Sequence, residues 1–141
     1  MNSNKIKYAK FISNFDDVSI FSQPWWLDAV CGENNWDVVL VERDGMPVGS
    51  LPYFIKKKWF LNVITQPPLT QTIEPLFDIK AKNKDEKNSK YMSEIIAKLP
   101  QVPKFQMNLH SSVTNWLPFF WCYWGFKPFL NSDEKRKKSG L

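Results

Sequence analysis

Gln66, Thr70, Gln71 and Thr72 lie within the stretch Ile64-Thr65-Gln66-Pro67-Pro68-Leu69-Thr70-Gln71-Thr72. These side chains donate and accept hydrogen bonds without a charge to desolvate. The adjacent prolines remove two backbone donors and fix φ at both positions, so the chain leaves the preceding apolar run in a stiff, extended form. A rigid polar loop at a strand end is a common place for a small-molecule site. The competing reading is a connector whose polar groups face water.

Other reactive side chains are sparse. His110 is the only histidine, and no acidic residue is marked as its partner for a Ser-His-Asp arrangement. It stands as a weak candidate general base against an ordinary structural role in a strand. One His and two Cys ninety-one positions apart, Cys31 and Cys122, do not make a metal ligand set or a disulfide framework. No metal is expected. Asp16-Asp17 and Asp133-Glu134 read as capping or solvation. Trp25 and Trp26 point about 100° apart on a helix, so one indole can enter the core while the other meets a surface, an interface or a ligand.

These groups belong to a chain of 141 residues with seven Trp, eleven Phe and four Tyr, about one domain by length. So many flat apolar side chains are hard to hide in a small domain, which predicts contact with another domain, a second copy or a ligand. The formal charge of +5 gathers in Lys56-Lys57-Lys58, the Lys80 to Lys90 segment and Lys135-Arg136-Lys137-Lys138. Scattered lysines of this kind mark a solvated surface more often than a phosphate-binding stripe, so DNA is not an expected partner. A tRNA-borne donor stays compatible with the charge. Lys5, Lys7 and Lys10 interrupt the start, and the apolar stretch Trp116 to Phe126 is too short to span a bilayer. A cytoplasmic protein without a transmembrane segment is the expectation.

The elements follow from punctuation and period. Ser22 reads as an N-cap with Pro24 in the first turn of a short helix ending at Gly32. Val38 to Val41, the Asp44-Gly45 turn and Val48 to Ile55 predict a hairpin, with Pro47 and Pro52 marking a free or bulged side. Phe60 to Thr65 reads as a third strand. Residues 78 to 90 read as a polar loop giving way to a helix. Tyr91, Met92, Ile95, Ile96 and Leu99 carry its period, Pro100 ends it, and Glu94 with Lys98 supports its exposed face. Glu86 with Lys90 has the same spacing. Phe105, Met107 and Leu109 alternate as in a half-buried strand. Asn115 caps a further short helix with Pro118 in its first turn, and Phe126 to Leu130 opens a last strand. The fold class expected is α/β (α+β), a mixed, largely antiparallel sheet flanked by helices.

The segments Gln23-Pro24-Trp25-Trp26-Leu27-Asp28-Ala29-Val30, Leu51-Pro52-Tyr53, Ile64 to Thr72 and Thr114-Asn115-Trp116-Leu117-Pro118-Phe119 together resemble the N-terminal half of bacterial FemAB-like proteins of the GNAT acyltransferase superfamily. The resemblance runs from about Phe21 to Phe129. It implies a single GNAT-like domain over 1–130; from Asn131 onward the chain has no apolar pattern, and 131–141 is expected to be a disordered basic tail. It also implies transfer of an acyl or aminoacyl group to an amine on a cell-envelope or surface-polysaccharide precursor. The donor would be acetyl-CoA or another acyl-CoA, or aminoacyl-tRNA. Gln66, Thr70, Gln71 and Thr72 would be acceptor contacts, and Trp25 or Trp26 a wall.

The departure from the family pattern is at the donor side. GNAT units bind the cofactor pyrophosphate with a turn of the form Gln/Arg-x-x-Gly-x-Gly/Ala before a helix. Gly32, Gly45, Gly49, Gly125 and Gly140 contain no pair separated by a single residue. The expectation is a first GNAT-like unit that binds no cofactor alone, through truncation or a shifted frame after Leu130, and that partners a second unit. The alternative is a non-catalytic binding or assembly module that forms a homodimer or docks through its aromatic surface. A transferase completed by self-association is disfavoured, because a second identical copy lacks the same turn.

Overall fold

Strand β1, Trp36–Arg43, carries apolar side chains on both faces, and this sets the layering. The computed structural model describes residues 2–78 and 84–110. Val38 and Leu40 turn to one side of the sheet with Trp36, while Val39 and Val41 turn to the other. A strand buried on both faces reads as a continuous apolar run, and helices must then cover both sides. Helices α1 (Ser3–Ile12) and α2 (Pro24–Cys31) cover the first face, packing Tyr8, Phe11, Ile12 and Leu27 on Trp36, Val38, Leu40 and Phe54. Helix α3 (Lys84–Lys98) covers the second with Met92, Ile95 and Ile96 against Val39, Val41, Leu51 and Ile64. The fold is α+β.

The sheet is antiparallel. β2 (Met46–Lys58) pairs along one edge with β1, and along the other with β3 (Leu61–Thr65) and the two-residue β4 (Leu76–Phe77). Asp44 and Gly45 both have positive φ, 53° and 75°, as a primed two-residue hairpin turn requires. The expected free or bulged side of β2 is present. Register shifts between Val41 and Glu42, opposite Gly49 and Pro47, and Pro52 lies between the part of β2 that pairs β4 and the part that pairs β3. A proline costs no ladder bond on that unpaired edge.

Several boundaries differ from expectation. α1 carries no apolar run and was not foreseen; its buried residues Lys5, Tyr8, Phe11 and Ile12 form a helical stripe headed by a lysine. Ser22 does not cap α2. It is the last residue of a 3-10 turn over Ile20–Ser22, and Gln23 occupies the cap position without a side-chain bond. Pro24 is at the helix start and Gly32 ends it at φ 87°, as anticipated. A Cβ on Gly32 would also stand 3.0 Å from Asn35 Nδ2.

α3 begins at Lys84, seven residues before its apolar period starts at Tyr91. Helix propagation costs little once the packed half has nucleated. Glu94 pairs across elements with Arg43 rather than with Lys98, whose Nζ donates to Leu40 O at 3.1 Å. The Arg43 hydrogen bond holds the Glu94 carboxyl below its ordinary range. Phe105, Met107 and Leu109 are half-buried and alternate with exposed Gln106 and Asn108. That segment makes two isolated parallel bridges rather than a full strand. The expected helix at Asn115, the strand from Phe126, the aromatic run Phe119 to Trp124 and the tail lie outside the described residues.

Candidate functional site

Between β3 and β4 the chain leaves the sheet and returns. Ile64 bridges Phe105 and Ile73 bridges Leu109, so nine residues of one row stand against four of the next. Ile64 N donates to Lys104 O at 3.1 Å and Gln106 N to Ile64 O at 2.9 Å. A regular parallel ladder would continue with Asn108 N donating to the backbone carbonyl of residue 66. Instead Asn108 N donates to Gln66 Oε1 at 2.9 Å. The ladder then resumes at Ile73 N to Asn108 O, 2.8 Å, and His110 N to Ile73 O, 2.9 Å. The Gln66 carboxamide spans the gap left by its own backbone.

The same side chain holds the excursion. Gln66 Nε2 donates to Thr70 O at 3.0 Å, and Thr70 N donates to Pro67 O at 3.3 Å. Pro68 and Leu69 are the central turn residues, with Leu69 at φ 56°. Pro at the second position and positive φ at the third is the type II pattern, which favours Gly or Asn where Leu69 stands. Thr70 Oγ1 donates to Pro68 O at 3.0 Å and accepts from Trp26 Nε1 at 3.0 Å. The loop is therefore tied to α2 and to the 104–110 segment at once.

Each anticipated site residue has a definite place. Gln66, Thr70 and Trp26 are brought together and bond to one another. Trp26 is half-buried and Trp25 is 59% exposed. Their rings meet edge-on at 6.2 Å, and Phe21 flanks Trp26 at 5.6 Å. One indole thus enters the packing and its neighbour faces out. Gln71 is exposed and Thr72 half-buried, leading into Ile73. His110 is half-buried two residues beyond Asn108. Trp25, next to Trp26, and Leu69 (83% exposed) and Gln71, on either side of Thr70, are the exposed neighbours of the bonded residues. Leu69 was not singled out in the sequence; a leucine at the third position of a Pro-initiated turn is the signal that marks it.

A surface cleft of about 340 Å³ on the α1 side is lined by Lys5, Asn35, Trp36, Asp37 and Tyr53. Several of its polar groups are engaged within the fold. Lys5 Nζ lies 4.2 Å over the Trp36 ring and donates to Glu33 O. Asp37 accepts from Val38 N at 2.8 Å and from Asn2 Nδ2 at 3.1 Å. Burial pushes the Tyr53 phenol up to about 12, with the Asp37 charge adding to it. Lys5, Asn35 and Asp37 thus serve the packing of α1 and the β1 start. Among the described residues no group of three His, Cys, Asp or Glu side chains is placed to hold a metal, and no helix is long and apolar enough to cross a membrane.

Cys31 is buried at the end of α2. Burial pushes its thiol from an ordinary value of 9.0 up to about 11. At pH 8 the thiolate is then about one part in a thousand, and the thiolate is the reactive form. Peptide mapping after iodoacetamide treatment at pH 8 should find Cys31 unmodified in the folded protein and modified in 8 M urea. Rapid native labelling would contradict the packing of α2.

Gly32 and Gly45 serve a helix end and a hairpin turn, and Gly49 lies under the Phe77 ring, 3.0 Å from where a Cβ would stand. No family model, curated protein or solved structure matches the chain.

Proposed function

We propose that the chain is the acceptor-side unit of a FemAB-like acyltransferase. It would work with a second GNAT-like unit that holds the acyl-CoA or aminoacyl-tRNA donor. The observation that supports this is the Gln66–Thr70–Trp26 joint. It fixes a strand-end loop on two elements and leaves Trp25, Leu69 and Gln71 facing outward on a rigid frame. An apolar wall beside a small number of fixed polar groups is what orients a sugar or peptide carrying an amine. Transfer would proceed by attack of the deprotonated amine on the acyl carbonyl, with a base to take its proton and a donor for the oxyanion. His110, on the segment that Gln66 clips, is the candidate base.

Calorimetric titration of the chain tests this with two probes, acetyl-CoA and a nucleotide-linked amino sugar. The amino sugar should bind, and Trp25→Ala and Gln71→Ala should each weaken it at least fivefold. Acetyl-CoA should give no heat without the second unit; micromolar binding to the chain alone would overturn the division of labour. The second reading is a binding or assembly module, favoured by the exposure of Trp25 and Leu69. No heat from either probe, from a species of twice the chain mass, would select it.

A further inference from the structure

We propose that the β2–β3 hairpin is a docking element for an anionic lipid bilayer surface. This inference is independent of the acyltransferase reading. β1 pairs β2 no further than Phe54, with one more bond from Ile55 N to Asn35 O. On the other side the 104–110 segment meets β3 only from Ile64. Lys56 to Asn62 therefore forms a two-stranded ribbon, Lys56 opposite Val63 and Lys58 opposite Leu61. It projects beyond both neighbours by roughly 10 Å at the rise of an antiparallel strand.

The ribbon ends in Trp59 and Phe60, 87% and 82% exposed, with Leu61 at 47%. Trp59 has φ 62°. Positive φ at the first loop position of a primed hairpin turn favours glycine, and a bulky side chain there is strained. A tryptophan held in that conformation gains nothing from burial in return, which points to a use outside the fold.

Lys56, Lys57 and Lys58 lie one step behind this tip, all exposed. Successive strand residues alternate faces, so the three ammonium groups straddle the ribbon. No Asp or Glu occurs between Asp44 and Glu74, so no acidic residue within the ribbon offsets them. An apolar tip with lysines set back from it matches the depth profile of a membrane interface. There Trp and Phe enter at headgroup level while lysines meet anionic phosphates. A nucleic-acid surface would instead interleave cations and stacking rings along a groove.

The test is co-sedimentation of the full chain with vesicles of 70:30 phosphatidylcholine:phosphatidylglycerol and with pure phosphatidylcholine. Binding should be at least tenfold stronger to the anionic vesicles and should weaken between 50 and 500 mM salt, as screening requires. The Trp59→Ser/Phe60→Ser double variant should lose at least tenfold, with an unchanged urea midpoint because both side chains are exposed. Replacing the three lysines by Gln should remove the preference for anionic lipid. Acyl-chain-brominated lipid should quench fluorescence in the native chain, and less in Trp59→Phe. No binding, equal binding to neutral vesicles, retention by the tip variant, or displacement by an oligonucleotide would each overturn the proposal. So would a dimer that the tip variant dissociates.

Discussion

Tyr8→Ala is expected to destabilise the protein by about 3–5 kcal/mol, the range for removing a buried aromatic side chain. Tyr8 is fully buried between α1 and the sheet, edge-on to Trp36 at 6.3 Å. Its hydroxyl donates to Ser22 O at 2.6 Å. A domain of this size has about 5–15 kcal/mol in total, so the variant should be marginal at 37 °C. Urea unfolding followed by far-UV circular dichroism measures it. Tyr8→Phe keeps the ring and should cost about 1–2 kcal/mol, since the buried Ser22 carbonyl is left without its donor.

A pH dependence follows from the same burial, which holds the Tyr8 phenol far above its ordinary value. Burial raises Tyr53 to about 12 and Cys31 to about 11 as well. For each group the unfolded chain ionises first as pH rises. The stability they protect is therefore complete below pH 9 and declines above it, first through Cys31 and then through the tyrosines. The urea midpoint should be level from pH 7 to 9 and lower at pH 11. Tyr8→Phe should flatten the part of that decline above pH 10. A wild-type midpoint unchanged at pH 11, or a Tyr8→Ala loss under 1 kcal/mol, would mean that α1 is not packed as described.

What was legible in the chain and what was not follow from range. The Asp44-Gly45 turn, the Pro24 start and Gly32 end of α2, and the two-sided burial of Val38 to Val41 are written locally. They depend on φ preference and side-chain period, which need no distant partner. α1 was illegible because its buried stripe begins with Lys5, whose stem packs while its ammonium lies over Trp36 and reaches Glu33 O. An amphipathic lysine counts as polar in any period and as packed in the structure. The loop at Gln66 was legible as rigid and polar. Its bonds to Asn108 and Trp26 join positions forty or more residues apart, and no local pattern encodes them.

Gln66→Ala is expected to cost about 2 kcal/mol, because it removes two hydrogen bonds worth about 1 kcal/mol each. The consequences should be local. The amide of Asn108 loses its acceptor, so its hydrogen exchange should accelerate strongly while the amides of β1 keep their protection. Gln66→Glu separates the two ends of the side chain. A carboxylate still accepts from Asn108 N but cannot donate to Thr70 O, and it sets two acceptors against each other. That variant should protect Asn108 and still loosen the Pro67–Thr70 turn, which limited proteolysis reads directly. A double-mutant cycle pairing Gln66→Ala with Trp26→Phe tests whether the loop behaves as one unit. Coupling of at least 0.5 kcal/mol is expected for residues sharing Thr70 as partner. If the two losses simply add, the carboxamide and the indole brace the loop separately, and the frame inferred for Trp25, Leu69 and Gln71 is two weak ties rather than one joint.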